Sequence, residues 1–327
     1  MGNSNSVVIL ATGGTIAGTA ADASQTVGYT AAQLGVDQLL AAVPDLAQVA
    51  GGDLLAEQVA QLDSKDMDSA TWTTLAHRCM HWLAQDEVGA LVITHGTDTL
   101  EETAWFLHLV LPPGKPVVLT CAMRPATALL ADGPQNLRDA VTCAVDAQAR
   151  GVLVVAAGQV HSARAVRKFH PYRVDAFTSD DKGVLGWVEE GRVRWQRPPE
   201  PVDAQRGAFA ALLRRLPDPA AWPWVELVSS HAGCDGRAVD ALLAQGVQGF
   251  VVAATGNGTL HRTLEPALQR ALSAGVPVRV GTRCSEGQLV AAQDAPPADV
   301  PMQPRPVDLP PLKARILLQL ELLAAQH

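Results

Sequence analysis

Cysteines are few and unpaired in number: five in 327 residues, at Cys79, Cys121, Cys143, Cys234 and Cys284. An odd, scattered set inside apolar segments excludes a disulfide framework and suits buried thiols in a reducing compartment. Apolar runs such as Val251 to Ala254 are short, nowhere near the roughly 18 residues of a membrane helix, so no membrane partner is expected. Basic residues are also in deficit. Lys plus Arg number 25 against 33 Asp plus Glu, a formal net charge of −8, which repels phosphate backbones and anionic lipid and argues against nucleic acid as a partner. The opening stretch, Met1 to Ser6, has neither the basic nor the apolar region of a secretory signal. The expected location is therefore the cytoplasm, or the periplasm if a signal peptide has been removed.

What the chain does contain is length for about two domains and a recurring alternation. Short β-branched apolar runs end in Gly, Thr or Ser and are followed by helix-like stretches: Val7 to Leu10, Ala90 to Ile93, Val117 to Thr120, Val152 to Val155, Val225 to Val228, Phe250 to Ala253 and Val276 to Val280. Continuous apolar runs are what strands covered on both faces require. Between them, Trp72, Leu75, Ala76, Cys79 and Leu83 sit at helical spacing within Asp68 to Gln85. The expectation is an α/β protein of two domains, each a mainly parallel sheet flanked by helices, with ligand sites beyond the carboxyl ends of the strands. A proline-rich stretch marks the connection, giving domains at 1–197 and 218–327 with a linker at 198–217. A final helix is expected from Leu312 to Gln326.

Two motifs stand at strand ends. Thr12-Gly13-Gly14-Thr15-Ile16-Ala17-Gly18 allows a tight turn and close backbone approach while a hydroxyl projects into the crevice. A plain glycine turn is the competing reading, and the glycine spacing is wrong for a dinucleotide fingerprint. The second, Thr94-His95-Gly96-Thr97-Asp98-Thr99 with Glu101-Glu102, places Thr99 and Glu102 at capping-box spacing, so that Thr97 and Asp98 sit at a helix N-terminus. Simple capping is the alternative there. His77 and His81 lie four apart on a helix, but Arg78 stands where a zinc hydrolase motif needs glutamate, so they read as helix-surface histidines and no metal is expected.

Taken together these residues resemble the bacterial-type L-asparaginases, especially the type II group. The likeness rests on Ala11 to Gly18, Tyr29-Thr30, Asp63 to Met67, Ile93 to Thr99, Ala122 to Pro125, Ala131 to Pro134, and Arg164 to Lys168. In the second domain it rests on Gly256-Asn257-Gly258, Thr282-Arg283 and Lys313-Ala314-Arg315. The resemblance implies hydrolysis of the side-chain amide of L-asparagine without a cofactor. It also implies a homotetramer built as a dimer of intimate dimers, each site completed by the partner's second domain. Thr15 would be the nucleophile and Tyr29 its neighbour on a mobile loop, while Thr97, Asp98 and Lys168 would form a second catalytic group. Ser64 and Asp98 would hold the substrate's α-carboxylate and α-amino groups, with Asp63, Lys65 and Ala122 also lining the pocket. The partner-chain contributions would fall on Thr259 and Asp294.

The chemistry follows from residue type. Threonine attacks an amide poorly unless something takes its proton, and the tyrosine hydroxyl or the lysine amine must serve. Lys65 departs from the family pattern, which has glutamine there: a positive charge aimed into the pocket would weaken substrate binding, whereas a side chain that snorkels to solvent would leave binding to the backbone and Ser64. Two other functions stay open. A glutaminase-asparaginase would accept L-glutamine as well, and a noncatalytic amino-acid sensor would use the same pocket without needing a second threonine group.

Overall fold

Strand β1 (Ser6–Gly13) is buried at all eight positions, as its unbroken apolar run requires when helices cover both faces of a sheet. The computed structural model describes residues 6–199, 205, 207–214, 219–290 and 303–326, and the chain divides into two units, Met1–Leu216 and Pro217–His327.

The first unit adds β2 (Leu54–Leu62), β3 (Val88–Thr94), β4 (Val117–Thr120), β5 (Val152–Ala156) and β6 (Gln159–Ser162), then a small hairpin of β7 (Arg167–Lys168) and β8 (Phe177–Thr178). Strands β9 (Gly186–Glu189) and β10 (Arg192–Trp195) complete the large sheet, whose order is β10-β9-β6-β5-β4-β3-β1-β2. From β2 through β5 the pairing is parallel. The other edge, β6, β9 and β10, is antiparallel.

Five of its helices are α1 (Val36–Ala41), α2 (Leu46–Ala50), α3 (Ser69–Leu83), α4 (Leu100–Val110) and α5 (Gly133–Val145). Val7, Ile9 and Ala11 join Val92 and Val118 on one sheet face, under Leu46 of α2 and Leu137, Ala140 and Val141 of α5. Alternate residues such as Val8 and Leu10 take the opposite face, where α3 packs on β3 and α4 on β5. Helix α3 starts where Asp68 accepts a hydrogen bond from Thr71 N, which ties an otherwise unpartnered backbone donor of its first turn.

The second unit holds β11 (Val225–Ser229), β12 (Gly249–Ala254), β13 (Val278–Thr282) and β14 (Arg305–Pro306), all parallel, in the order β11-β12-β13-β14. Helices α7 (Arg237–Ala244) and α8 (Glu265–Ser273) bury Val239, Ala267, Leu268 and Ala271 against Phe250, Val252 and Val280. Helix α9 (Pro311–Ala325) packs on β11, β12 and β13.

One stretch differs from the expected connection. Within 198–217, residues 207–213 fold onto the first unit: Gly207 N donates to His108 O and Phe209 N to Leu109 O, at 2.9 and 3.0 Å. A turn of helix follows, α6 (Ala210–Leu213), with Leu213 fully buried. His77 is an exposed helix-surface histidine as expected, and its Nε2 lies 3.0 Å from the Leu213 carbonyl. Apolar residues in the segment, rather than its prolines, decide its path.

The turn leaving β1 is tight. Gly14 has φ 82°, and a methyl group there would lie 2.3 Å from Gly96 Cα. Gly14→Ala is therefore expected to destabilise the protein by more than about 2 kcal/mol, combining left-handed backbone strain with a backbone clash. Gly35→Ala, at φ −76° with open space around it, should stay within about 1 kcal/mol of wild type. Scanning calorimetry of both variants checks this.

Candidate active site

Loops at the carboxyl ends of neighbouring strands assemble the site. β1 and β3 pair directly, Ala11 opposite Thr94, and Thr12 Oγ1 donates to Thr94 O at 2.9 Å. Gly13 and Gly14 both take positive φ, turning the chain so that Thr15 opens a short 3-10 turn with its side chain almost enclosed. Its Oγ1 lies 2.7 Å from Tyr29 OH. Tyr29 arrives on a loop closed at its base by paired bonds between Thr19 and Thr30, each 2.9 Å. Gly18 leaves room for the tyrosine ring, since a methyl there would sit 3.1 Å from Tyr29 Cδ2.

The second cluster forms where α4 begins. Thr99 is its N-cap residue, but the expected capping box with Glu102 is absent. The Thr99 hydroxyl donates instead to Ser64 O at 2.8 Å, because the loop after β2 brings a carbonyl within reach. Ser64 Oγ accepts from Asp98 N at 3.1 Å. Lys168, on β7, donates from Nζ to Thr97 Oγ1 at 2.8 Å and to Asp98 Oδ1 at 2.6 Å. Its side chain is only 18% exposed while that of Asp98 is 53% exposed, so the ammonium reaches the carboxylate from the protein side. The Lys168 main chain is anchored too, its N–H donating 2.5 Å to Glu101 Oε2.

A buried chain of bonds beneath Thr97 had no signal beyond the motif itself. His95 is fully buried, with Nδ1 2.7 Å from Gly96 O and Nε2 2.9 Å from Thr103 Oγ1. The carbonyl can only accept, so Nδ1 carries the proton and Nε2 accepts from the threonine hydroxyl. That hydroxyl oxygen in turn accepts from Trp72 Nε1 at 2.8 Å. Burial holds the His95 pKa down to about 4, against the opposing pull of the Gly96 carbonyl.

Ala122 is wholly buried beside Ile16 and Ala17, supporting the Thr15 turn from below. The Asp132 carboxylate braces the adjacent backbone, accepting from Met123 N at 2.9 Å and Arg124 N at 3.0 Å. Asn136 Nδ2 donates to Cys121 O at 2.9 Å.

Thr15 and Tyr29 thus form one bonded pair, and Ser64, Thr97, Asp98 and Lys168 a second bonded group, on neighbouring segments of one unit. Of the two postures open to it, Lys65 takes the solvent-facing one. Its side chain is 60% exposed and its ammonium pairs with Asp63 at 2.8 Å and Asp66 at 3.1 Å, and hydrogen bonds to these carboxylates push its pKa up. Two acidic neighbours offer the charge a partner at the rim, so it has no need of the pocket. Thr259 belongs to the second unit, where its hydroxyl donates to Thr255 O at 3.0 Å across a tight turn. Asp294 lies outside the described residues. All five cysteines are free; four are buried as expected and Cys284 is exposed. It lies past the end of β13, in the turn where its N–H donates to Thr282 Oγ1 at 3.0 Å. Among the described residues no helix is long and apolar enough to cross a membrane, and no group of three His, Cys, Asp or Glu side chains is placed to hold a metal.

A threonine beside a tyrosine, and a second threonine beside a lysine and an aspartate, form a hydroxyl-based site at the carboxyl edge of a parallel sheet. Residues 6–201 match "Asparaginase, N-terminal" and residues 224–326 match "Glutaminase/Asparaginase C-terminal domain". The chain belongs to the asparaginase family. It is 38% identical over 323 residues to the glutaminase-asparaginase of Pseudomonas fluorescens biotype A, covering 98% of this chain and 87% of that protein. It is also 38% identical over 320 residues to L-asparaginase 2 of Escherichia coli strain K12, covering 97% and 88%. The crystal structure of a probable cytoplasmic L-asparaginase from Campylobacter jejuni superposes with a TM-score of 0.87 at 36% identity, covering 97% of this chain and 95% of that one.

His95 gives the site a pH signature. The unfolded chain takes up a proton near 6.5, the folded one only near 4, so between these values the unfolded state binds more protons. The His95 contribution is complete above about pH 6.5 and falls by roughly 1.4 kcal/mol per pH unit as the pH drops toward 4. Denaturant unfolding of wild type and His95→Asn from pH 7 to pH 4 should show the gap between them shrinking at that slope.

Proposed function

We propose that the protein hydrolyses the side-chain amide of L-asparagine to L-aspartate and ammonia, with Thr15 as nucleophile. The observation that carries this reading is the pairing of two threonine hydroxyls with two proton-carrying groups, Thr15 with Tyr29 at 2.7 Å and Thr97 with Lys168 at 2.8 Å. The names of the relatives point the same way. Thr15 Oγ1 bonds to the amide carbon as its proton passes to the Tyr29 oxygen and the phenol's own proton passes to water, from which Lys168 takes back the proton it gives up in the next step. The carbon–nitrogen bond then breaks and nitrogen leaves as ammonia, taking a proton delivered through Thr97. Lys168 donates toward that hydroxyl, which suits the delivery. Water hydrolyses the resulting ester and restores the threonine. No cofactor enters this scheme.

The α-ammonium group of the substrate pairs with the Asp98 carboxylate. The α-carboxylate accepts from the Ser64 hydroxyl, whose oxygen already accepts from Asp98 N. Ala122 supports the pocket floor, and Asp63 and Lys65 frame the rim as a mutually neutralised pair. The partner subunit's Thr259 and the partner subunit's Asp294 complete the site in a homotetramer of two intimate dimers. A glutaminase-asparaginase is the second reading, favoured by the Pseudomonas relative that bears that name at equal identity. One extra methylene changes the fit by only about 1–3 kcal/mol. The free cysteines favour a reducing, cytoplasmic setting, although relatives include one described as probably periplasmic, from Haemophilus influenzae.

Ammonia release from purified protein with asparagine and with glutamine tests the activity and ranks the two amides. Thr15→Ala and Thr97→Val are each expected to remove most turnover, by about 10²-fold or more, with the unfolding midpoint retained; near wild-type turnover at either position refutes that residue's role. Sedimentation should find a tetramer, and an active monomer would overturn the partner roles of Thr259 and Asp294.

A further inference from the structure

The loop that delivers Tyr29 has a second attachment that the chemistry above does not use. Residues 19–30 are fixed at their base by the Thr19 and Thr30 bonds. Along one side they are held by the neighbouring segment, with Ala20 N donating to Thr127 Oγ1 at 2.8 Å and Leu129 N to Ala23 O at 2.9 Å. Near the tip of the loop, Thr26 Oγ1 lies 2.8 Å from Tyr172 OH. Tyr172 stands at the end of the β7–β8 hairpin, whose base carries Lys168.

That hairpin is braced along its length. At the bottom Lys168 N is tied to Glu101 and β7 pairs with β8. Above that, Phe169 N donates to Ala176 O at 2.9 Å. At the top, His170 Nδ1 accepts from both Tyr172 N and Arg173 N, at 3.1 and 3.0 Å. Arg173 pairs with Asp175 and lies over the Phe169 ring, 5.6 Å from its centre. A side chain on so constrained a turn is presented at a set height above Lys168. The loop it touches is otherwise exposed, with Val27 72% accessible and Gly28 surrounded by open space.

We propose that Tyr172 is a positioning residue: its hydroxyl latches Thr26 and so holds the Tyr29 loop closed over Thr15, coupling the nucleophile's loop to the hairpin that carries Lys168. Only two tyrosines exist in the chain, one on each side of this closure. The latch acts on the equilibrium between open and closed loop. When closure is favourable in the substrate complex, weakening it raises KM in proportion and leaves kcat nearly unchanged. An exposed hydroxyl–hydroxyl bond sets the scale at about two- to tenfold.

The experiment combines Tyr172→Phe, Thr26→Val and the double variant. The kinetic arm rests on the amidohydrolase reading: each single variant should lower kcat/KM for asparagine about two- to tenfold through KM, with kcat within about twofold. The double variant should be no worse than either single one, since both remove the same bond. The second arm needs no activity. Amide hydrogen exchange of residues 20–28 should accelerate in all three variants with the unfolding midpoint unchanged. Multiplicative kinetic losses, a kcat effect without a KM effect, or unaltered exchange in the loop would overturn the latch. An inactive wild type would refute the amidohydrolase reading, and the exchange arm would still decide the latch.

Discussion

The constraint on which the first unit depends is the contact between two glycine backbones. Adjacent strands of a parallel sheet lie about 4.8 Å apart, and loops leaving the same end of β1 and β3 must diverge unless one of them lacks side chains. Here both do: Gly14 meets Gly96, and Gly96 in turn presses on Ser64, where an added methyl would lie 2.4 Å from Oγ. Three loops therefore converge where a Cβ would exclude them. Each glycine is followed by a threonine, Thr15 or Thr97, so the close approach sets where both hydroxyls project.

Beneath this contact the polar groups are ordered rather than merely satisfied. Neutral His95 has one donor and one acceptor, and both are committed, to Gly96 and to Thr103. The bonds therefore have a single sense, from Trp72 through Thr103 and His95 to the Gly96 carbonyl. In a low-dielectric interior such a chain stiffens the backbone that presents Thr97. Lys168 is treated similarly, fastened at the main chain by Glu101 before its ammonium reaches Thr97 and Asp98. Helix start and hairpin base thus constrain the second cluster from two directions.

The parts that sequence alone made legible are those with a strong local signal. The inner strands read as unbroken apolar runs because both faces are covered. Strand β2 escaped notice because, as an edge, it mixes Leu54 and Leu62 with Glu57, Gln58 and Gln61, and each of its residues is half-buried or exposed, none fully buried. The β7–β8 pairing is two residues long on each side, too short for any periodicity, yet it carries Lys168. The strand-end positions of Thr15 and Thr97 were legible from the glycines beside them, whereas the roles given to them came from the family resemblance. For Lys65 both the inward and the solvent-facing posture stood open, and the ion pairs with Asp63 and Asp66 decide for the second. The fold of residues 207–213 onto α4 was not legible, being a tertiary preference of Phe209 and Leu213 and not a property of a proline-rich stretch.

The placement of the two tyrosines has a practical consequence for observing the molecule. Both ring systems border one loop, Tyr29 from within it and Tyr172 from outside. Any signal specific to tyrosine, whether selective isotope labelling, ring nitration or ultraviolet difference absorbance, therefore comes from that loop and its seat alone. The seven tryptophans report on other regions, Trp72 and Trp105 from the core and Trp224 from the second unit. Tyrosine and tryptophan spectra of the unaltered chain accordingly separate the movement of a single surface loop from changes elsewhere in the fold.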